Sequence, residues 1–307
     1  MLASLSSFGD CITDGGCLVN TGLSGLSVAM VLFLIASGLT LIFGVLRIVN
    51  FAHGTLYMLG AFAAYWAISR TSGTSGNFWI ALAVAPLAVA LIGGLVEVTL
   101  LRRIYRRPQF HQFLLTFGLI LLTADAVRLG FGTEFKTIER PSVLSGSVSI
   151  LGRQFPEYNL FLIGLAMAVA LGLWLMLQRT RLGRIIRAAA SDREMTGALG
   201  VNVGALFTLV FMLGAGLGGL GGALDAGRGV TIHPTMDVQI VLLSFIVVVV
   251  GGLGSFGGAL LGALIIAEVS AFGLVLDPRF SSVYAFVIMA VVLLLRPWGL
   301  FGKPLEE

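Results

Sequence analysis

Apolar stretches alternate with short polar breaks along the whole chain, from Leu23 to the Arg296-Pro297 end. Nine such stretches can be drawn, at 22–44, 52–69, 78–101, 111–131, 159–179, 203–223, 238–251, 256–272 and 281–296. Most approach the roughly 20 residues that a helix needs to cross hydrocarbon. In lipid, each backbone amide must be satisfied within its own element, so apolar runs of this length mean helices. The pattern therefore predicts an all-α, polytopic transmembrane bundle of eight or nine spans, forming one domain over residues 1–307.

Two stretches are short, 238–251 and 256–272, and they are joined by the run Gly251-Gly252-Leu253-Gly254-Ser255-Phe256-Gly257-Gly258. Such a run makes either a tight turn between two spans or a broken element whose irregular backbone lines a protected cavity. A second interruption falls at Asn50-Phe51-Ala52-His53-Gly54. Short or broken helices are thus expected near residues 45–60 and 251–258. One interruption in each half raises an internal repeat, although residue-level similarity between the halves is slight.

Composition narrows the class. The chain is 57% hydrophobic and 11% charged, with a mean hydropathy of +1.00, too little charge to cover a soluble domain of 307 residues. The longest break, about 132–158, is too short to fold as a domain, so no ATPase or kinase unit is expected within the chain. The net charge of +4 comes from bases gathered between spans, which excludes a nucleic-acid face. Arg102, Arg103, Arg106 and Arg107 crowd one break; Arg179, Arg181, Arg184, Arg187 and Arg193 crowd another; Arg296 and Lys303 follow the last span. An even number of spans separates these places, so the positive-inside rule puts all three in the cytoplasm, the N-terminus outside and the C-terminus inside. Cys11 and Cys17 precede the first span, and both a disulfide on an oxidising face and two free thiols are open. Residues 1–20 lack the basic start of a cleaved signal peptide.

Four groups of residues carry candidate chemistry. The segment RLGRIIRAAASDREMTGALGVN, residues 181–202, is amphipathic and too polar to cross the membrane. Arg184, Arg187 and Arg193 offer basic contacts, small Ala188, Ala189 and Ala198 keep it slim, and Gly197 and Gly200 permit close approach or a helix stop. It reads either as a helix that docks in a groove on a cytoplasmic protein or as a loop obeying the charge rule. Arg47, Asn50 and His53 recur every three residues and would share one face of a continuous helix. They either line a path or, the better reading, brace the bend; no second His or Cys at ligand spacing supports a metal site. Asp125 and Arg128 can neutralise each other, and Glu97 lies near the Arg102–Arg107 cluster. Glu268 has no local partner, so it is either a polar point on a pathway or one side of an interhelical hydrogen bond to a neighbouring Ser or backbone group. Gly214, Gly218 and Gly222, like Gly258 and Gly262, fall at four-residue intervals, the spacing of close helix packing in lipid.

No nucleophile–base–orienter set is visible, and no G-x-x-x-x-G-K-[ST] phosphate loop exists. An intramembrane enzyme therefore has no foothold, and no cofactor or metal is implied.

Four segments occur in order: GLTLIFGVLRIVNFAHGTLYMLGAF from Gly38, RLGRIIRAAASDREMTGALGVN from Arg181, VVVVGGLGSFGGALLGA from Val247 and RPWGLFG from Arg296. Together they resemble the permeases of ATP-driven branched-chain amino acid importers, specifically the LivH-like subunit of the bacterial inner membrane. The resemblance implies a second, related permease, two cytoplasmic ATPase subunits and an extracytoplasmic solute-binding protein. It also implies that residues 183–200 form a coupling helix, with Arg184, Arg187, Ala188, Asp192, Ala198 and Gly200 at the ATPase groove. The pathway or hinge candidates are then Asn50, His53, Gly54, Gly254, Gly258 and Glu268. Related permeases serve leucine-type amino acids, amides, urea and small aromatic acids, with selectivity resting largely on the binding protein. The N-terminal segment with Cys11 and Cys17 departs from the family pattern. The competing class is a self-sufficient channel or secondary transporter, against which the scarcity of intramembrane carboxylates argues.

Overall fold

The computed structural model describes residues 11, 13–70, 76–105 and 107–302; Arg106 and Lys303 of the basic clusters lie outside them. Nine apolar helices appear among these residues. They are α1 (Gly15–Leu46), α2 (His53–Arg70), α3 (Gly76–Thr99), α4 (Gln109–Phe131) and α5 (Glu157–Arg179), then α8 (Val203–Gly227), α9 (Met236–Gly251), α10 (Phe256–Leu276) and α11 (Ser281–Leu295). Two short helices, α6 (Arg181–Ser191) and α7 (Arg193–Ala198), stand between α5 and α8. Six helices among the described residues are long and apolar enough to cross a membrane; α9 and α11 are shorter. The break after α4 is not wholly irregular, because β1 (Ser147–Ile150) pairs antiparallel with β2 (Arg153–Pro156). Among the described residues this hairpin is the one strand pair in an otherwise helical chain, beside an isolated bridge between Lys136 and Ile232.

Local chemistry sets the helix ends. Asp14 accepts a hydrogen bond from the Gly16 amide at 2.9 Å and caps α1. The helix therefore begins at Gly15, upstream of the apolar stretch that starts at 22. Cys11 and Cys17 are joined in a disulfide across this cap. At the other end of α1, Arg47 takes a left-handed conformation at φ 55° and its amide closes on the Phe43 carbonyl. Asn202 and Ser255 cap α8 and α10 in the same way as Asp14 caps α1.

The bundle is organised around α1 and α8. Helix α1 is buried on every side from Ala29 to Ile42, as expected of a helix apolar all round. Helix α8 packs along α1, α2 and α3, while α10 runs beside α1 and α4 touches the bundle least. Glycine makes these contacts possible. A Cβ on Gly60 would strike the Gly219 backbone, one on Gly222 would strike the Tyr57 carbonyl, and one on Gly214 would lie 2.7 Å from the Gly38 carbonyl. The stripe at Gly214, Gly218 and Gly222 is thus a packing seam within the subunit. Gly258 against Gly251, and Gly262 against Val247, seat α10 on α9 in the same manner.

Long-range contacts sort the connections into two ends. At one end Arg47 donates to the Ala190 carbonyl at 3.1 Å, Arg102 to the Gly204 carbonyl at 2.9 Å, and the Leu300 amide to the Val250 carbonyl at 2.9 Å. The described residues of all three basic clusters belong to this end. At the other end Arg153 pairs with Asp14 at 2.6 Å, and a bridge joins Lys136 to Ile232.

Gly60→Leu places a branched side chain in the backbone seam, and overpacking of this kind costs about 1–3 kcal/mol or more. A clear drop in Tm in detergent is expected, whereas Gly118→Ala, whose Cβ meets nothing within 4 Å, leaves Tm unchanged or slightly higher. The Asp14–Arg153 contact yields a pH effect. The Arg153 hydrogen bond and the Gly16 amide hold the Asp14 carboxyl below its ordinary value. A depressed carboxylate contributes stability above its unfolded pKa and loses it as pH falls through the lowered folded value. Amide exchange at Gly16, corrected for its intrinsic rate, should stay constant from neutral pH down to about 4 and accelerate only below it. Arg153→Gln moves that onset upward.

Candidate functional site

The polar segment 181–202 forms two helices, not the single coupling helix over 183–200 that the sequence suggests. Thr180 accepts from the Gly183 amide at 3.1 Å to start α6. Gly183 itself lies so close beneath the Met176 and Leu177 carbonyls that a Cβ has no room. Arg187 folds back and donates to the Leu177 carbonyl, fixing the angle between α5 and α6. Gly183, Ile186 and Ala189 form the buried face of α6, while Arg184, Arg187, Ala188 and Ser191 form an exposed one. That division follows the three-to-four-residue spacing of an amphipathic helix.

Asp192 is what breaks the segment. Its backbone is extended, and its carboxylate accepts from the Glu194 and Met195 amides at 2.9 and 3.0 Å, capping α7. Serine, threonine, asparagine and aspartate favour such caps because the side chain satisfies amides that the first turn leaves free. Thr196 is buried and returns its hydroxyl to the Asp192 carbonyl at 2.7 Å. The outer side of α7 carries Arg193, Glu194, Gly197 and Ala198, together with two large apolar side chains, Met195 and Leu199, that are 60% and 78% exposed. Gly200, at φ 87°, ends the element. The result is an exposed surface of basic and apolar groups on a backbone fixed by caps.

The second group also departs from one helical face, because α1 stops at Leu46 and α2 starts at His53. Each polar residue of the break has its own partner. Arg47 reaches α6 through Ala190. Asn50 is buried and accepts from the Ala52 amide at 3.1 Å. His53 is buried with Nε2 2.9 Å from the Ile35 carbonyl, wedged where Gly38 and Gly218 leave space. Gly54 seats α2 on Asp237 and Val241 of α9, and Gly258 seats α10 on α9, so both face helix backbone. Gly254, at φ 80° in the turn Gly252–Ser255, approaches Gly44 and lines a cavity of about 880 Å³. Arg47, Ala190, Trp298 and Phe301 share that cavity, so the Gly252–Ser255 turn and the end of α1 open together beside α6. Glu268 lies mid-span on α10 and faces Gly25 of α1, where a Cβ would crowd its carboxylate.

Glu97 is fully buried at the basic end of α3. It accepts from Arg102, from the Tyr105 hydroxyl at 2.6 Å and from the Thr208 hydroxyl at 2.6 Å. Burial and the adjoining Glu97 carboxylate raise the Tyr105 pKa, keeping the phenol a hydrogen-bond donor. This knot ties the turn after α3 to the start of α8, immediately beyond α7. Asp125 and Arg128 pair at 3.0 Å on α4.

Sequence reasoning missed one polar group entirely. At the opposite end, Tyr57 donates to Asp225 Oδ2 at 2.7 Å and the Arg228 guanidinium lies 2.7 Å from Asp225 Oδ1. The three residues border a cavity of about 230 Å³ between α1, α2, α8 and α9. Only the Asp225–Arg228 spacing of three residues was visible locally; Tyr57 is 168 residues away.

The chain matches the family described as branched-chain amino acid transport system permease component over residues 22–295. It is 30% identical over 295 residues to the high-affinity branched-chain amino acid transport permease BraD of Pseudomonas aeruginosa, covering 92% of this chain and 95% of the relative. It is 26% identical over 300 residues to LivH of Escherichia coli, a permease protein of the same description, with the same coverage. It is also 29% identical over 290 residues to the ribose import permease RbsC of Escherichia coli, covering 88% of this chain and 79% of that protein. No solved structure matches.

Asp192 has a separable capping role. Asp192→Ala removes the cap at a typical cost of about 1 kcal/mol, and amide exchange across Glu194–Ala198 should rise. Asp192→Asn keeps the cap and should leave exchange close to wild type.

Proposed function

The chain belongs to the family of branched-chain amino acid transport system permease components, and from that premise we propose how it works. It is the membrane-embedded permease subunit of an ATP-driven importer for branched-chain amino acids or a closely similar small solute. It crosses a bacterial inner membrane nine times with its N-terminus outside and its C-terminus in the cytoplasm. It works with a second, related permease, two ATPase subunits and an extracytoplasmic solute-binding protein.

One observation carries the mechanism: α6–α7 is exposed at the end that holds the basic residues, and α6 is tied by hydrogen bonds to the end of α1 and to α5. Arg47 at the end of α1 donates to the Ala190 carbonyl of α6, Arg187 of α6 donates to the Leu177 carbonyl of α5, and Asn202, just beyond α7, caps α8. A push on Arg184, Ala188, Ala198 or the exposed Met195 and Leu199 is therefore delivered to α1, α5 and α8 together. Closure of ATPase subunits around this surface would shift the bundle between two access states. Such a device requires only that the two states differ in their contacts with the ATPase, not that the permease bind solute tightly. The Cys11–Cys17 disulfide supports an N-terminus on an oxidising face.

Two measurements test this reading. A thiol introduced by Leu199→Cys should react with an impermeant reagent only from the cytoplasmic side; reaction from outside overturns the topology. Arg184→Glu combined with Met195→Ser should leave the permease in the membrane at normal yield but lower the amount of ATPase that copurifies and abolish uptake. Normal copurification and uptake in that variant would remove α6–α7 from the coupling role.

A further inference from the structure

The cavity at the outer end contains a buried charge pair that the coupling mechanism does not use. Asp225 is only 5% exposed, in a helix that is otherwise apolar at this level. Its Oδ2 accepts the Tyr57 hydroxyl. Its Oδ1 lies within ionic distance of Arg228, yet no N–H is aligned on it, so an acceptor site remains open. Placing two charges here is expensive, and a buried pair is rarely the most stable filling of such a space. In a membrane bundle, ionisable groups that face a cavity mark a solute path by default.

The remaining walls define what would fit. Val28, Val31 and Leu32 of α1 and Leu243 of α9 form an apolar side that runs from this polar mouth towards the middle of the bundle. The outer loop roofs the mouth: Arg140 donates to the Arg228 carbonyl at 2.9 Å and the Lys136–Ile232 bridge closes beside it. The space, about 230 Å³, is smaller than the roughly 300–1,000 Å³ of drug-sized sites.

We infer that this cavity is a transient binding site for the zwitterionic head of an aliphatic α-amino acid, with the α-ammonium on Asp225 and the α-carboxylate on Arg228. The assignment rests on the proposed function and names the contacts that function would need on the outer side. Charge decides between ligand classes. Asp225 and Arg228 already neutralise each other, so a bare anion or cation would leave one unit of charge uncompensated in a low-dielectric site. A zwitterion brings both signs side by side and pairs with both residues at no net charge. Its aliphatic side chain then lies along Val28, Val31 and Leu32, replacing water at an apolar wall. Tyr57 holds the Asp225 carboxylate in position through Oδ2 and leaves Oδ1 for the ligand.

The test uses the complete importer in proteoliposomes, with L-leucine as the probe. Asp225→Asn with Arg228→Gln removes both charges at once, so neither is stranded. Uptake should fall about tenfold or more, the scale of losing charge-assisted hydrogen bonds, while complex recovery and binding-protein-stimulated ATP hydrolysis stay near wild type. Uptake within twofold of wild type overturns the inference. If the wild-type complex imports no α-amino acid, the proposed function fails first, and that outcome is read before any variant. A second measurement covers the case in which the double variant does not assemble. Gln239→Cys places a thiol on the cavity wall, and the native cysteines are already oxidised. Millimolar L-leucine should slow its modification, whereas 4-methylpentanoate and 3-methylbutylamine, each lacking one charge, should not. Equal protection by all three, or by none, overturns the site.

Discussion

Hydrocarbon gives helices no hydrophobic reason to associate, and this constraint shapes the whole chain. Lipid tails are as apolar as leucine, so association relies on close van der Waals contact and on polar groups that satisfy one another. The protein meets it with backbone-to-backbone approach along α8, where Gly214, Gly219 and Gly222 meet Gly38, Gly60 and Tyr57. The side chains of α1 then fill the remaining volume from Ala29 to Ile42 without any exposed face. Polar atoms inside this seam are few. The His53 imidazole spans from α2 to α1, where Nε2 meets the Ile35 carbonyl through space that two glycines vacate, while Nδ1 has no partner among the described residues.

A rigid seam has a mechanical consequence. Dense interiors are bistable more readily than they are compliant, so a displacement at one edge is passed on as a body movement. The two ends of the bundle are both attached to the seam, but in different ways. At the basic end the attachments are hydrogen bonds and caps at Ala190, Leu177 and Asp192, which hold the shape of α6–α7 while leaving its outer surface exposed. At the opposite end the attachments are the Asp225 cluster and the paired outer loop. Helix α1 borders cavities at both ends, through Val28 and Leu32 on one side and Phe43 and Arg47 on the other. Any tilt of α1 therefore alters both openings together.

What could be read from the sequence was what repeats locally. Eight of the nine apolar stretches begin within two residues of the helices α2 to α5 and α8 to α11, because hydrophobicity over some twenty residues is a strong one-dimensional signal. The exception is α1, which starts at Gly15 instead of 22, since a single capping aspartate and a disulfide outweigh seven weakly apolar positions. The glycine stripes, the Asp125–Arg128 pair and the Glu97–Arg102 pair were visible for the same reason: their partners are close in sequence or regular in spacing. The break at Asp192 was legible in principle, as an aspartate two residues before a glutamate in a short polar run, but the stronger amphipathic period masked it. Tyr57 with Asp225, Arg47 with Ala190 and the Leu300 amide with Val250 join distant segments, and no local pattern marks such pairs.

The two ends also divide the energetic work. A permease that bound its solute tightly would hold it, since conduction requires association strong enough to enter and weak enough to leave. The Asp225–Arg228 pair suits that requirement because its charges already neutralise each other before any ligand arrives. An incoming zwitterion must displace part of an existing ionic contact, so the net gain is the small difference between two comparable pairings. Neutral pairing also keeps the resting site electrically balanced in a medium where an isolated charge would be very costly. On the proposed coupling role, the free energy that gives direction comes from the other end, through the surface of α6–α7. In the proposed mechanism, weak recognition at one end and firm attachment at the other rest on the same feature: the close backbone packing of the glycine seam, which joins the two ends while neither site needs to be strong.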